Sequence, residues 1–322
     1  MAETLQERGG VGRRRVLLLA TSDLHYRSHE GRAAELTEAA RRVRFDCFVF
    51  AGDLSSGPPE KYRGALACFG RLSQPKIAVL GNHDLWVDHD GDSESRFGVL
   101  TPVFEEFGFS VLDAAPALID GVAFVGGVGW YDYSFRARDP SFAEWVLVRR
   151  GDGSFCRWSE LTDEDYADKR LTYIDLRGRS GGPGRSEVTL KGSQWMDRHY
   201  IRWRYSDAEF TERCLRRLRA DIERVRRSAD EIVCVLHHVP FRELVVTKGE
   251  PAWDFANAFV GSGRFGRLLL EYSEVRTVIC GHTHAPRGAL VGHIHAFDVS
   301  DRSGGALYLV DTEAGTCERV FR

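Results

Sequence analysis

Five short apolar runs recur along this chain, and each one is followed at once by polar side chains. They span residues 16–21, 45–51, 76–80, 231–236 and 275–280. Apolar runs of this length that end in glycine or polar turns are typical of strands buried on both faces. Between the first two runs, residues 31–44 carry the apolar spacing of an amphipathic helix, as a crossover between parallel strands does. The pattern therefore predicts an α/β fold around a mainly parallel sheet.

The polar residues that follow these runs are carboxylates, a carboxamide and imidazoles. They are Asp23 and His25, Asp53, Asn82 and His83, His237 and His238, and His282 and His284. In open α/β sheets the ligand crevice lies beyond the carboxyl ends of the strands, so we expect these side chains to form one cluster. Oxygen and nitrogen ligands without a thiolate suit Mn, Fe, Co, Ni or Zn ions. The groups exceed the needs of one ion, whereas two ions roughly 3.5–4 Å apart that share a carboxylate would use them.

The amino-acid composition limits the class of protein and the cellular compartment in which this metal site would lie. Of the 322 residues, 43% are hydrophobic and 28% are charged, which is ordinary for a protein with a buried core. The formal net charge of -3 gives no overall attraction to nucleic acid or to an anionic membrane. The seven cysteines include no CxxC pair, which fits a reducing compartment better than a zinc ribbon. We expect residues 1–15 to be an N-terminal arm. Because no apolar run approaches the ~20 residues of a membrane span, we also expect a cytoplasmic protein.

The polar segments match, in order, a known set of motifs. They are D-x-H at 23–25, GD at 52–53, GNHD at 81–84, a histidine after the fourth apolar run, and GHxH at 281–284. In these motifs the chain resembles the calcineurin-like metallophosphoesterase superfamily, and within it the bacterial phosphodiesterase-like branch. The resemblance covers about residues 16–129 and 231–322. It implies a four-layer α/β/β/α sandwich with metals at the strand ends, and an enzyme that uses two metal ions to hydrolyse a phosphate mono- or diester.

The resemblance also implies a role for each matched residue. The first metal would be held by Asp23, His25, Asp53 and His284, and the second by Asp53, Asn82, His237 and His282. His83 would contact the substrate phosphate and protonate the leaving group. The nucleophile would be a hydroxide bridging the two ions, because metals lower the pKa of bound water toward neutrality.

Two pairs of histidines leave the ligand assignment open. Either His237 or His238 follows the fourth apolar run closely enough to coordinate a metal. The first position matches the family, which would leave His238 beside the site or facing the substrate. A second GHxH sequence carries His293 and His295. This copy lies inside an alternating apolar run, which favours a strand face, so the first copy is the predicted ligand pair.

The stretch from about residue 130 to residue 230 changes character. It is too long for an ordinary connection, and we predict an insertion that forms a helical cap beside the metals. Residues 207–228 have the apolar spacing of an amphipathic helix. The many arginines of this predicted helix fit a solvated helix face better than a nucleic-acid surface. Near the start of the stretch, we expect Tyr131 and Arg136 to contact the substrate, by ring stacking and by pairing with a second phosphate.

Two other functions remain open at the level of sequence. A nuclease acting on nucleic-acid phosphodiesters would use the same residues. A non-catalytic binding scaffold with this fold would lack part of the metal site, whereas every expected ligand and His83 are present here. Asp53 is followed by Leu-Ser-Ser-Gly, which differs from the Asp-Arg-Gly continuation of Ser/Thr protein phosphatases. The predicted partner is therefore a phosphate ester, with nucleotide-like compounds among the candidates.

Overall fold

The computed structural model describes residues 15–26, 31–179, 189–302 and 304–322. Its strands are β1 Leu17–Thr21, β2 Cys47–Ala51, β3 Lys76–Val79, β4 Phe109–Val111, β5 Ala117–Ile119, β6 Val122–Gly127, β7 Val146–Arg149, β8 Phe155–Arg157, β9 Arg170–Asp175, β10 Lys191–Gln194, β11 Glu231–Leu236, β12 Val275–Cys280, β13 Arg287–Val291, β14 Ile294–Asp298, β15 Leu307–Asp311 and β16 Thr316–Phe321. Its α-helices are α1 Arg32–Ala40, α2 Pro59–Phe69, α3 Ser95–Glu106, α4 Asp163–Ala167, α5 Asp197–Tyr200, α6 Asp207–Val225, α7 Pro251–Ala256 and α8 Gly263–Leu270. The five apolar runs form β1, β2, β3, β11 and β12, as predicted.

The strands that precede the candidate site residues belong to two different six-stranded sheets. The first sheet has the order β16-β15-β1-β2-β3-β4, in which β1 to β4 run parallel and β15 is antiparallel to β1. The second has the order β13-β14-β12-β11-β6-β5, with β14, β12, β11 and β6 parallel at its centre. The polar segments therefore come from the parallel strands of both sheets.

Three buried clusters separate the layers of the fold. One lies between the sheets and joins Val49 and Ile77 of the first to Val233 and Ile279 of the second. Another packs α1, α2 and α3 against the first sheet, and its members include Leu36, Leu66, Leu100, Phe48 and Phe50. The remaining cluster packs α6 and α8 against the second sheet, and its members include Leu218, Ile222, Leu269, Val125 and Cys234. The order is helices, sheet, sheet, helices, which agrees with the predicted four-layer sandwich.

Helix α6 belongs to the outer layer of this sandwich. It begins at a capping box, in which Ser206 accepts from the N–H of Glu209 and the Glu209 carboxylate accepts from the N–H of Ser206 at 2.8 Å. Its apolar face, including Leu218 and Ile222, packs against the second sheet. Burial of each such side chain contributes about 1.5–3 kcal/mol. The helix therefore supports the sheet instead of contributing to a cap.

The stretch ahead of α6 contains a small sheet in place of the expected helical cap. Strands β7 to β10 pair in the antiparallel order β10-β9-β7-β8. In β7, Val146 and Val148 are buried while Leu147 and Arg149 are not, which is the two-residue period of a strand with one covered face. The aromatic and charged residues of this stretch obscured that period in the sequence.

The described residues bear on three further expectations. Most of the predicted N-terminal arm, residues 1–14, lies outside them. Within them, no helix is both long enough and apolar enough to cross a membrane. The seven cysteines are all free thiols, and Cys47, Cys234 and Cys280 are buried in the core.

Candidate metal centre

Loops at the ends of β1, β2, β3, β11 and β12 bring together every residue predicted to bind metal. Three overlapping groups each offer ligand atoms that lie within 4.8 Å of one another. They are Asp23, His25 and His284; His25, Asp53 and His83; and Asp53, His237 and His282. Asn82 joins the last group, because its Oδ1 atom lies 3.1 Å from Nε2 of His237. The centre thus lies where the strand ends of the two sheets meet.

The first group places two imidazoles beside one carboxylate. The Nε2 atoms of His25 and His284 lie 3.4 Å apart, and the two rings are stacked. Oδ1 of Asp23 lies 3.5 Å from Nε2 of His284 and 3.9 Å from Nε2 of His25. The other carboxylate oxygen of Asp23 accepts from the Ser22 hydroxyl at 2.6 Å and from the N–H of His282 at 2.9 Å. Asp23 is therefore held by one oxygen and presents the other to both histidines.

In the group of Asp53, His237 and His282, the backbone orients both histidines. Nδ1 of His237 lies 2.8 Å from the carbonyl oxygen of Ala51, and Nε2 of His282 lies 3.3 Å from that of Phe259. A carbonyl only accepts, so each of these nitrogens carries the proton that it donates. The opposite nitrogens, Nε2 of His237 and Nδ1 of His282, face each other at 3.0 Å. This is the arrangement in which metal-binding histidines are usually fixed.

Asp53 lies within reach of histidines from all three groups. Its Oδ2 atom is 3.5 Å from Nε2 of His237, 3.9 Å from Nε2 of His25 and 3.8 Å from Nε2 of His83. Its Oδ1 atom accepts from the backbone N–H of His83 at 2.9 Å. One carboxylate oxygen is therefore shared among histidines that come from separate loops.

Two observations show that a cation fits this arrangement. Oδ1 of Asp23 is buried and has no hydrogen-bond donor, which is costly for a carboxylate oxygen. In neutral His237 and His282, the nitrogens that do not donate to carbonyl groups each carry a lone pair. These two lone pairs would face each other across 3.0 Å and repel. A metal ion between these atoms would satisfy both nitrogens and the carboxylate oxygens. The mixture of nitrogen and oxygen ligands suits Mn, Fe, Co, Ni or Zn.

The charges of the protein by themselves place a proton on His237, in the group of Asp53, His237 and His282. Burial would lower the pKa of His237, but the carboxylate of Asp53 outweighs burial and raises that pKa to about 10. Burial and the neighbouring His237 lower the pKa of His282 to about 3. The pKa of Asp53 falls well below its usual range, because the charges of His237 and His83 outweigh its burial. A bound cation would take the place of the His237 proton, since coordination requires the neutral ring.

The turns that carry the ligands hold uncommon backbone conformations. Positive φ angles occur at Asp23 (53°), His25 (44°), Asp53 (59°), His282 (79°) and His284 (53°). A non-glycine residue in the left-handed region costs about 1–3 kcal/mol. Each of these residues lies just beyond the end of a strand, where the left-handed turn diverts the side chain from the line of the sheet. Backbone strain is therefore concentrated at the candidate site.

Two glycines make room for the ligand side chains. A Cβ atom at Gly52, whose φ is 92°, would lie 2.4 Å from Nδ1 of His237. A Cβ atom at Gly81 would lie 2.1 Å from Oδ1 of Asp53. Both distances are far below van der Waals contact, so the close approach of a ligand requires glycine at each position.

The carboxylate of Asp84 ties two of the loops together. Its Oδ2 atom accepts from the N–H groups of Asp53 at 2.9 Å and Gly81 at 2.8 Å, and its Oδ1 atom accepts from the N–H of Ser55 at 3.1 Å. Burial and the nearby Asp53 raise the pKa of Asp84 to about 7. Asp84 thereby sets the distance between the loop that carries Asp53 and the loop that carries Asn82.

His83 lies at the rim of the site. Its side chain is 28% exposed, whereas that of Asp53 beside it is 1% exposed. Its ring stacks on Trp86 with the centroids 3.6 Å apart. A partly exposed imidazole therefore lies beside the candidate ligands.

The second GHxH sequence lies away from these groups. Nε2 of His293 bonds to the carbonyl oxygen of Tyr272 at 3.0 Å. His295 lies in β14, against Gly315. Neither histidine belongs to a metal-ligand group in the part of the chain that the structure describes. The structure thus places His282 and His284, and not the second pair, among the other candidates.

His238 is fully buried beside the group of Asp53, His237 and His282. Its Nδ1 atom donates to the carbonyl oxygen of Val128 at 2.9 Å, and its Nε2 atom has no partner. Its ring centroid lies 4.3 Å from that of His282. Full burial gives His238 no exposed surface for a substrate, so the structure supports a position beside the ligands.

The other two residues expected to contact the substrate are engaged within the protein. Tyr131 is fully buried, and its hydroxyl donates to Asp197 at 3.0 Å. A ring without an exposed face cannot stack on a substrate, so that expectation for Tyr131 is wrong. Arg136 forms an ion pair with Asp163, and its guanidinium lies 5.7 Å from the centroid of the Tyr166 ring. These side-chain contacts are with α4 and not with the metal-ligand groups.

Asp197 has a place in the site that its sequence context did not predict. It is 1% exposed and accepts a hydrogen bond from the side-chain amide of Asn82 at 2.8 Å. The indoles of Trp86 and Trp195 donate to the same carboxylate. Asp197 lies among aromatic residues in the sequence, and buried aromatic N–H and O–H groups need acceptors. That position could have indicated a buried carboxylate that accepts from them.

Nitrogen and oxygen side-chain atoms grouped at the strand ends of a layered α/β fold are typical of a metal-dependent hydrolase. A family model for calcineurin-like phosphoesterases matches residues 16–286, and the chain belongs to that family. It is therefore a metal-dependent phosphoester hydrolase.

Solved structures resemble this chain at low sequence identity. The phosphopantetheinyl hydrolase (PptH) of Mycobacterium tuberculosis has a TM-score of 0.60 and 18% identity, over 89% of this chain and 90% of that one. The protein TT1561 of Thermus thermophilus has a TM-score of 0.53 and 13% identity, over 95% of this chain and 98% of that one. At these identities the likeness is one of fold. No curated protein matches the sequence of this chain.

Proposed function

We propose that this chain uses two metal ions to hydrolyse a phosphate mono- or diester. The observation that carries the proposal is the position of Asp53, whose Oδ2 atom lies 3.9 Å from Nε2 of His25 and 3.5 Å from Nε2 of His237. These histidines belong to different metal-ligand groups. One carboxylate oxygen within reach of both suits two ions that are roughly 3.5–4 Å apart.

The candidate ligands divide into one set for each ion. Asp23, His25, Asp53 and His284 would hold the first ion, and Asp53, Asn82, His237 and His282 would hold the second. Bound ions supply Lewis acidity, which polarises the phosphate and lowers the pKa of water. The protein fixes the direction of its ligands through the carbonyl groups of Ala51 and Phe259. Rigid ligands of this kind cost no reorganisation during the reaction.

His83 would act on the leaving group. Its ring is partly exposed and is held by stacking on Trp86. An imidazole in this position can donate a proton to the leaving oxygen and hydrogen-bond to the phosphate. The second set supplies four ligands without His83, which leaves this ring available for the substrate.

The substrate class to test first is a small phosphate ester. The similar structure from Mycobacterium tuberculosis carries the name of a hydrolase of phosphopantetheinyl groups. A nucleotide-like ester is the other candidate. A net charge of -3 weighs against long nucleic acids, because their binding draws on clustered positive charge.

Metal reconstitution followed by a substrate screen tests the proposal. Chelator-treated protein is reloaded with Mn, Fe, Co, Ni or Zn and assayed on p-nitrophenyl phosphate, bis-p-nitrophenyl phosphate, cyclic nucleotides, phosphopantetheine and single-stranded DNA. We expect two ions per chain at saturation and hydrolysis of at least one ester that depends on the added metal. Saturation at one ion, or equal hydrolysis with and without metal, would contradict the proposal.

A further inference from the structure

Asp197 lies at the start of α5, in the stretch between the small sheet and α6. Its carboxylate is buried and accepts four side-chain hydrogen bonds. Oδ1 accepts from the amide of Asn82 at 2.8 Å and from the indole of Trp86 at 2.7 Å. Oδ2 accepts from the hydroxyl of Tyr131 at 3.0 Å and from the indole of Trp195 at 2.8 Å. Such a carboxylate is fully satisfied by donors and is held rigidly.

The bond to Asn82 decides which way its amide faces. The oxygen and nitrogen of a carboxamide have nearly the same shape, so the neighbours decide the orientation. A carboxylate accepts and does not donate, so the Asn82 nitrogen must face Asp197. The Asn82 oxygen is then directed toward Nε2 of His237, 3.1 Å away. This is the orientation that a metal ligand requires.

The hydrogen bond from Trp86 to Asp197 also influences the position of His83. The indole ring of Trp86 stacks on the His83 imidazole with centroids 3.6 Å apart, and Tyr200 stacks on Trp86 at 4.6 Å. Asp197 holds the indole through its N–H. The position of the His83 ring therefore depends on the carboxylate that also orients Asn82.

Backbone hydrogen bonds join the same two segments. The N–H of Val87 donates to the carbonyl of Tyr200 at 3.0 Å, and the N–H of Ser93 donates to the carbonyl of Arg202 at 2.8 Å. The hydroxyl oxygen of Ser93 accepts from the N–H of Arg202 at 2.9 Å. The loop after the GNHD motif is thus fastened to the residues that follow Asp197.

We propose that Asp197 is a positioning residue, through which the stretch ahead of α6 sets the geometry of the Asn82 metal ligand and of His83. The inference rests on the proposed function for the roles of Asn82 and His83. The stretch would then support the metal chemistry, a role that differs from the substrate contact expected for Tyr131 and Arg136.

Asp207 provides a matched control in the same part of the chain. It too is a buried carboxylate that accepts from an indole, that of Trp130, and from a phenol, that of Tyr133. It also pairs with Lys169 at 2.6 Å. None of these three partners belongs to a metal-ligand group in the described residues.

The experiment compares Asp197→Asn and Asp197→Ala with Asp207→Asn and Asp207→Ala. Titration with Mn or Zn measures the affinity for each ion, and thermal unfolding measures stability. The Asp197 variants should lose about 10–100-fold in affinity for one ion of the two, because a neighbour that orients a ligand has gone. Their rates should also fall more for alkyl than for p-nitrophenyl esters, because His83 is displaced. The Asp207 variants should lose stability and keep both ions.

Outcomes that overturn the inference differ from those that overturn the proposed function. Ion affinities in Asp197→Asn that match those of Asp207→Asn would overturn the positioning role, and so would an equal loss of both ions. If an Ala variant fails to fold, the Asn pair decides. If the unaltered protein binds two ions and hydrolyses no phosphate ester, the proposed function fails, while the ion affinities still decide the role of Asp197.

Discussion

Oδ2 of Asp53 lies 3.5 Å from Nε2 of His237, and the two residues follow strands of different sheets. Asp53 follows β2 of the first sheet, and His237 follows β11 of the second. Both side chains are buried, so water does not screen the charges around them. The contact exists only because the sheets are packed with these strand ends together, and the candidate metal centre therefore depends on the packing of both sheets.

Substitution of the shared carboxylate tests the two-ion arrangement. Asp53→Asn should lower turnover by at least about 100-fold and reduce bound metal, because a neutral amide bridges two dications poorly. Metal analysis and kcat for a p-nitrophenyl ester measure the effect. Asp221→Asn, on α6 beside Arg217, is a control that should retain both metal and rate. Two tightly held ions with near-normal activity in Asp53→Asn would show that the carboxylate is not shared.

The role of His83 can be separated from metal binding. His83→Ala should keep its ions and lose about 100-fold or more in rate, with the larger loss for esters of poor leaving groups. Rates for p-nitrophenyl and alkyl esters, together with metal content, provide the check. His199→Ala, an exposed histidine, should leave both unchanged. Equal losses for the two kinds of ester would remove the proton-donor role.

Substitutions in the two GHxH sequences should affect metal affinity differently. His282→Ala and His284→Ala should each weaken metal binding by about 10-fold or more, because each removes a nitrogen ligand. His293→Ala and His295→Ala should leave metal affinity unchanged. Titration of all four variants with the same ion makes the comparison. Loss of metal in the second pair alone would move the site to that sequence.

Substitution of His237 and of the adjacent His238 should affect different properties of the protein. His237→Ala should lose metal, because Nε2 of His237 faces Asp53, Asn82 and His282. His238→Ala should keep metal and lower the melting temperature, because it removes a buried ring and its bond to Val128. Metal content and thermal unfolding are measured on both. A His238→Ala protein that folds but binds no metal would reverse the assignment.

The candidate ligands could be predicted from sequence because their pattern is local. An apolar run followed by Asp23 and His25, or by Asp53, shows within a few residues both the strand and the polar group at its end. The order of five such segments was enough to indicate the family and the layered α/β fold. The choice between the two GHxH sequences was also local, because only the second lies inside an alternating run.

Only the tertiary structure decided what surrounds these ligands. The partners of Asp197 include Asn82 and Tyr131, which are distant from it in the chain and meet it only when the loops pack. Tyr131 looked like a substrate contact because it follows a strand, yet packing buries it completely. The small sheet formed by strands β7 to β10 likewise depends on pairing between separate segments of the chain. The sequence by itself determined the candidate ligands and their order, because residue type and short-range spacing carry that information. Burial and side-chain hydrogen bonds were decided by the fold, because they depend on atoms that no local pattern brings together.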